Sequence, residues 1–224
     1  MMKKTNANLT LCSMIFVVSL VISNVVTAKT IDLGFTFFGA PATIPGAAVC
    51  YAITFLMTDV IGELWGKKAS DQTVLFGAVG QIFATLLIIF TQALPAANKD
   101  MQIAYNTLLG QNYIFVIGSL VAYFVSQFWD VWIFHKIRWW HLSRANGSIK
   151  NRWIWNNLST MTSQIWDTVL FIGIAFGLGF GWLFDPAMRP TLFTMMACQY
   201  LFKFALAALD TPFFYILTRR QETT

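Results

Sequence analysis

The sequence predicts an all-α polytopic membrane protein, and three properties of the chain lead to that prediction. Of its 224 residues, 57% are hydrophobic and only 11% are charged, with a mean hydropathy of +0.60, whereas about a quarter of the residues in a soluble domain are charged. Six stretches are apolar over about the 20 residues that a helix needs to cross a bilayer. Alternating segments of about ten residues, which are typical of a membrane β-barrel, do not occur in the sequence. We therefore expect one membrane domain, residues 1–224, with about six transmembrane helices.

The first span could be mistaken for a cleavable signal peptide, because Lys3 and Lys4 precede an apolar run. That run is about 18 residues long, beyond the 7–15 of a signal core, and Asn24 interrupts it, so we expect an uncleaved helix. Between the third and fourth spans, Asn98–Gly110 is weakly amphipathic and is either a short interfacial helix or a loop. The six predicted spans are Leu9–Ala28, Ala42–Gly62, Thr73–Leu94, Tyr113–His135, about Leu158 to Phe184, and Thr191–Leu217.

The basic residues orient this set of spans. Eleven of them fall on one side and three on the other, while Lys203 lies inside the last span. Because cytoplasmic loops carry the Lys/Arg excess, we expect both termini in the cytoplasm and the protein in the bacterial inner membrane. Residues 1–8 and 218–224 are then cytoplasmic tails, and 136–152 is a basic cytoplasmic loop. We interpret that loop as a positive-inside segment near anionic lipid and expect no direct nucleic-acid binding.

One phrase occurs twice in the chain. Ser126-Gln127-Phe128-Trp129-Asp130 is followed 37 positions later by Ser163-Gln164-Ile165-Trp166-Asp167. In each copy the Gln and the Asp are three apart, on one helix face, and an Asp at mid-bilayer costs roughly 2.5–3.5 kcal/mol. Two such costs at the same spacing indicate a ligand, although a duplication without shared function is the alternative. The predicted substrate-binding residues are Gln127, Trp129, Asp130, Gln164, Trp166 and Asp167.

Other ionisable residues also fall within or at the edges of the spans. Lys203 and Asp210 are two helical turns apart, too far for a direct pair, so we expect Lys203 to meet a carboxylate on another helix, with Asp130 and Asp167 as the candidates. Asp59, Lys203 and Asp210 are candidate charge partners or proton-coupling groups. Glu63 lies one turn from Asp59, nearer the interface. The alternative, that these groups only hold helices together, is weak because such contacts average about 0.6 kcal/mol.

Enzymatic functions find little support in the sequence. Neither a G-x-S-x-G elbow nor an H-E-x-x-H zinc motif occurs. His135 and His141 fall at or beyond the end of a span, and the cysteines lack metal-ligand spacing. We therefore expect no enzyme activity, no cofactor and no metal.

Several motifs in order give the chain a resemblance to the bacterial queuosine precursor transporters, which are also described as vitamin-uptake-like membrane proteins. The resemblance covers nearly the whole chain. It rests on Ser23-Asn24 with Lys29, Thr54–Glu63 followed by Gly66-Lys67-Lys68, Val125–Trp132, Asn156–Thr160 continuing into Ser163–Thr168, Lys203, and Leu209–Pro212. It adds Asn24, Glu63 and Asn157 as secondary site candidates.

The resemblance implies six transmembrane helices, a fold similar to the substrate-binding subunits of vitamin transporters, and import of 7-cyano-7-deazaguanine for queuosine synthesis in tRNA. The second candidate substrate is 7-aminomethyl-7-deazaguanine. Asp130 or Asp167 would accept hydrogen bonds from the guanidine-like edge of this planar ligand, and Gln127 and Gln164 would bind its carbonyl face. Two alternatives stay open: a binding subunit that needs an external ATPase, and a membrane scaffold without transport. The glycines spaced by four residues, Gly173, Gly177 and Gly181, serve either helix packing within the bundle or a homodimer.

Overall fold

The computed structural model describes residues 4–144 and 152–218. Within the last three long helices, some side chains lie outside that description, those of Gln127, Asp130, Asn157 and Asp210 among them. The elements are helix α1 (Asn6–Val26), strands β1 (Thr30–Phe37) and β2 (Ala40–Pro45), and helices α2 (Ala47–Trp65), α3 (Lys67–Ala93), α4 (Lys99–Leu109), α5 (Asn112–Arg144), α6 (Arg152–Ile172) and α7 (Arg189–Thr218). A π-helical segment, Gly173–Leu178, continues α6.

The helices confirm the predicted fold class of a polytopic helical membrane protein. In the described part of the chain, five helical stretches are long and apolar enough to cross a membrane. They are Asn6–Val26, Ala47–Trp65, Lys67–Ala93, Lys99–Ser126 and Met161–Leu178. Helix α7, with 30 residues, is a further long helix. Many large apolar side chains point outward, such as Phe76, Phe83 and Phe90 along α3, as expected of a surface that faces lipid.

A β-hairpin between α1 and α2 is the main difference from the predicted elements. The second span was expected to begin at Ala42, but residues 40–45 form β2, and α2 begins only at Ala47. Strands β1 and β2 pair antiparallel, with Ile31 opposite Ile44. Phe38 and Gly39 both have positive φ, 50° and 77°, as a two-residue type I′ turn requires. The apolar residues of 40–45 therefore belong to a packed strand and not to the start of a span.

The hairpin packs on the end of α7. Ala42 and Ile44 form a buried cluster with Ala48 and Cys198. The Thr194 hydroxyl of α7 donates a hydrogen bond of 2.9 Å to the Phe37 carbonyl. These contacts fix the depth of α7 relative to α2, and α7 carries Lys203.

Helices α1, α2 and α3 form one side of the bundle. Gly66, with φ 90° and ψ 169°, is the single residue between α2 and α3, in a conformation open almost only to glycine. Helices α1 and α3 run parallel in contact, since Ser13 and Thr73 share a hydrogen bond of 2.9 Å. Close approach continues one turn further at Gly77. A cavity of about 430 Å³ lies beside this contact. Its lining is mostly apolar and includes Leu9, Val17 and Phe76.

The connections between spans also differ in detail from the prediction. Residues 98–110 do form a short helix, α4, which begins at the cap where the Asn98 side chain accepts hydrogen bonds from two backbone N–H groups. Helix α5 continues to Arg144, so residues 136–144 of the predicted basic loop are helical. The fifth span ends at Leu178 rather than Phe184, because the backbone turns at Gly181, with φ 73°.

The glycines of the fifth span pack within the bundle. A Cβ on Gly177 would lie 3.5 Å from Leu192, and one on Gly173 would lie 3.8 Å from Met196, both on α7. These are ordinary van der Waals distances, so both positions face α7 without an approach that only glycine permits, and their use in close packing stays a prediction. The homodimer stays a prediction.

Candidate functional site

The centre of the site is an ion pair between α6 and α7. The Lys203 ammonium donates to the Asp167 carboxylate at 2.5 Å, with the two side chains 6% and 26% exposed. A buried ammonium requires such a partner, because an unpaired charge in a low-dielectric interior is very costly. Of the two partners predicted for Lys203, the structure shows Asp167. The Asp130 side chain lies outside the described residues.

Tyr51 of α2 and Ser119 of α5 extend this pair across the bundle. The Lys203 Nζ lies 5.7 Å from the centroid of the Tyr51 ring, within the range of a cation–π contact. The Tyr51 side chain lies close enough to Ser119 and to Asp167 to interact electrostatically with both. Phe171, one turn beyond Asp167, meets Tyr51 edge-on at 6.4 Å between ring centroids. Four helices therefore converge on one polar, aromatic centre.

The two copies of the repeated phrase meet at their tryptophans. The Trp129 and Trp166 ring centroids are 5.4 Å apart, at an interplanar angle of 57°. Trp129 also contacts Trp132 at 5.3 Å. This contact joins the predicted pair Trp129 and Trp166 across α5 and α6. It follows from the antiparallel course of the two helices, which brings residues far apart in the chain to the same level.

Unpartnered polar atoms accompany these rings. The indole Nε1 of Trp129 and the amide Oε1 of Gln164 are buried, and neither has a hydrogen-bond partner among the described residues. The hydroxyl of Thr168, one turn after Gln164, is also buried without a hydrogen-bond partner among the described residues. Most buried polar groups in native proteins are hydrogen-bonded. The Gln164 and Thr168 oxygens share one face of α6, and these atoms, like the indole donor of Trp129, are available to a ligand or to water.

Gln199 is a candidate site residue that the sequence did not indicate. It is completely buried, and both its Oε1 and Nε2 atoms lack a partner within the described part of the chain. It precedes Lys203 by four residues, so the two share a face of α7. That spacing from an intramembrane lysine is the signal that could have identified it. Tyr51 belongs to neither the repeated phrase nor the set of intramembrane charges, so the sequence gave no comparable signal for it.

The remaining predicted residues divide into two groups. Asp59 and Glu63 are exposed on α2, and Asp59 has an interaction of its own. Asn24 is buried near the end of α1, where its amide donates to the Leu20 carbonyl at 3.5 Å and its Oδ1 has no described partner. No contact of these three with the ion pair is seen among the described residues. The other group consists of residues on α5, α6 and α7 whose side chains the structure does not describe: Gln127, Asp130, Asn157 and Asp210.

Taken together, the geometry suits a flat polar ligand. Aromatic rings provide stacking surface, the unpartnered amide and indole groups provide hydrogen bonds, and the Lys203–Asp167 pair is neutral overall. In the described residues, His, Cys, Asp and Glu form no group able to hold a metal ion. The fold and this candidate site define a multi-pass membrane protein with a polar centre between its helices.

Comparisons with known proteins identify that class more closely. The family model described as "Putative vitamin uptake transporter" matches residues 45–217, and the chain belongs to this family of membrane transport proteins. A protein of Bacillus subtilis (strain 168), "Probable queuosine precursor transporter", is 31% identical over 198 residues, which is 87% of this chain and 78% of that protein. No solved structure matches the chain.

Proposed function

We propose that this transporter imports 7-cyano-7-deazaguanine across the bacterial inner membrane, with 7-aminomethyl-7-deazaguanine as the second candidate substrate, for queuosine synthesis in tRNA. It acts as a secondary transporter or facilitator. The observation that carries the proposal is the meeting of the two repeats, Trp129 against Trp166, with one buried, unpartnered polar atom in each repeat, Trp129 Nε1 and Gln164 Oε1. The name of the Bacillus relative supports the substrate.

The chemistry of the ligand complements this centre. A deazaguanine is a flat ring with amide, amine and pyrrole N–H donors and one carbonyl acceptor. The indole rings offer faces for stacking, Gln164 Oε1 can accept a hydrogen bond from an N–H group, and Trp129 Nε1 can donate one. Each bond would satisfy a polar atom that is otherwise buried without a partner, which is a source of affinity as well as specificity.

The Lys203–Asp167 pair gives the centre a fixed charge balance. Lys203 donates to one oxygen of Asp167, and a carboxylate has two oxygens able to accept hydrogen bonds. The other oxygen can accept from the exocyclic amine of the ligand, while Lys203 holds the carboxylate in place. Replacing Asp167 by Asn would remove the negative charge from both interactions, so we expect transport to be lost.

A cellular experiment tests this function. A bacterium that lacks both precursor synthesis and its own transporter is supplied with 7-cyano-7-deazaguanine, and queuosine in tRNA is measured by mass spectrometry. The chain should restore queuosine, and Asp167→Asn should not, although it reaches the membrane in equal amount. Asp185→Asn is the matched control, since Asp185 lies exposed after the fifth span. Unaltered queuosine in the Asp167→Asn strain, or none with the unchanged chain, would refute the proposal.

A further inference from the structure

Gln199 is one of two buried glutamines, with Gln81, whose amide atoms both lack a partner in the described part of the chain. It is 0% exposed, yet neither amide atom has a hydrogen-bond partner in the described part of the chain. Leaving a buried donor and a buried acceptor unpaired costs about 1–3 kcal/mol each. This cost is avoided only when another molecule or group supplies hydrogen-bond partners for the amide.

The packing of α7 on the fifth span places Gln199 in the ligand centre. The two helices run antiparallel: Lys203 pairs with Asp167, and further along Met196 approaches Gly173. Gln199 lies between these two contacts, which sets it at the level of residues 168–171. Those residues include Thr168, with its unpartnered hydroxyl, and Phe171, which contacts Tyr51.

We infer that Gln199 recognises the lactam edge of the ligand, the adjacent C=O and ring N–H groups. A primary carboxamide carries one acceptor and a donor side by side, and a lactam carries the complementary pair. Nε2 donates to the ring carbonyl while Oε1 accepts from the ring N–H, so one ligand edge satisfies both unpartnered atoms at once. An analogue with hydrogen in place of the carbonyl oxygen loses the C=O, and its adjacent ring nitrogen no longer carries a hydrogen. Oε1 then has no donor to accept from and stays buried and unpaired.

This inference rests on the proposed function for the identity of the ligand. It assigns different groups of that ligand to different residues. Gln199 takes the lactam, and Asp167 takes the exocyclic amine next to it. The substrate class is therefore a planar heterocycle with a lactam group. Gln199 of α7 determines the selectivity for the lactam carbonyl.

The test compares two ligands on three forms of the purified protein. The ligands are 7-cyano-7-deazaguanine and its analogue with hydrogen in place of the carbonyl oxygen. Equilibrium binding is measured by calorimetry or a radioligand assay. The proteins are the unchanged chain, Gln199→Met and Gln81→Met. Methionine keeps the length of the side chain. Gln81 is the matched control, because it is 3% exposed on α3 and both of its amide atoms are also unpartnered among the described residues.

The unchanged chain should bind the oxygen-containing ligand about ten- to a hundredfold more tightly than the analogue. Gln199→Met should reduce that ratio to near one, and Gln81→Met should preserve it. A ratio that survives Gln199→Met overturns the inference and leaves the proposed function intact. Hypoxanthine and uracil, lactams without the deazapurine ring, separate the two claims. If either binds in a Gln199-dependent way while the deazaguanine does not, the substrate is wrong and the inference stands. If no ligand binds the unchanged chain, both fail.

Discussion

At the scale of single residues, the site combines one buried charge pair with several neutral groups that lack partners. Lys203 is held by Asp167 and lies against the face of Tyr51. The neutral groups, among them Trp129 Nε1 and Gln164 Oε1, have no such compensation. The charges therefore hold the two helices and the carboxylate in place, and the neutral groups are the part of the centre that a ligand can satisfy.

The ion pair should behave as a unit in stability measurements. Lys203→Met and Asp167→Asn should each lower the free energy of unfolding by about 3 kcal/mol, the lower end of the range for buried pairs, because a quarter of Asp167 is exposed. The double variant should lose less than the sum, since it leaves no unpaired charge. Reversible unfolding in mixed micelles measures this coupling. Strictly additive losses would mean that the pair contributes nothing as a pair.

The indole N–H of Trp129 can be tested apart from its ring. Trp129→Phe keeps an aromatic surface but removes Nε1, so the apparent affinity for substrate should fall about fivefold, as for one neutral hydrogen bond. Trp132→Phe is the control, because Trp132 is half exposed and lies under the Lys136 ammonium at 4.4 Å. Uptake measured over a range of substrate concentrations gives the affinity of each variant. Equal effects of the two substitutions would count against a specific role for Trp129.

At the scale of elements, the sequence could predict what depends on apolar length and intramembrane charge. The helices follow from the cost of burying backbone groups in lipid. The choice of Asp130 or Asp167 for Lys203 followed from the absence of a carboxylate within reach on α7, and the structure shows Asp167. The hairpin was missed because the second span was started at Ala42 on apolar content, although Pro41 and Pro45 interrupt a helix at this point. Gln199 was missed because an isolated glutamine in a span carries no repeat and no charge.

The close contact of α1 with α3 depends on a glycine. A Cβ on Gly77 would lie 2.6 Å from the buried ring of Phe16 and 2.9 Å from Leu20, so Gly77→Ala should lower the free energy of unfolding by about 1–3 kcal/mol through overpacking. Gly62→Ala is the matched control in α2, where a Cβ meets nothing within 4 Å, and its better helix propensity should raise stability by up to about 1 kcal/mol. Thermal unfolding in detergent compares the two. A Gly77→Ala protein at least as stable as Gly62→Ala would contradict this packing.

At the scale of the whole molecule, the chain is a bundle of long helices around one polar centre between α2, α5, α6 and α7. Its outer surface is apolar along the helices. The repeated phrase contributes to this centre where its two copies, on antiparallel helices α5 and α6, meet at Trp129 and Trp166.

The orientation of the bundle is a prediction at this scale. Because Lys and Arg are concentrated on one side of the predicted spans, reporter proteins fused to the N- and C-terminal tails should both be active only in the cytoplasm. Fusions within the connection at residues 95–98, between α3 and α4, should report the opposite side. A periplasmic signal from either tail would mean that the span count or the charge rule fails for this chain.

The central claim is that this chain alone moves a deazaguanine across a membrane, and the most direct test is uptake of labelled 7-cyano-7-deazaguanine by liposomes that contain only the purified protein. We predict saturable uptake above that of protein-free liposomes, and its loss in Asp167→Asn. A proton gradient applied across the same liposomes distinguishes coupled accumulation from simple equilibration. Saturable binding without flux would instead indicate a subunit that needs an external ATPase. The absence of both flux and binding would contradict the account.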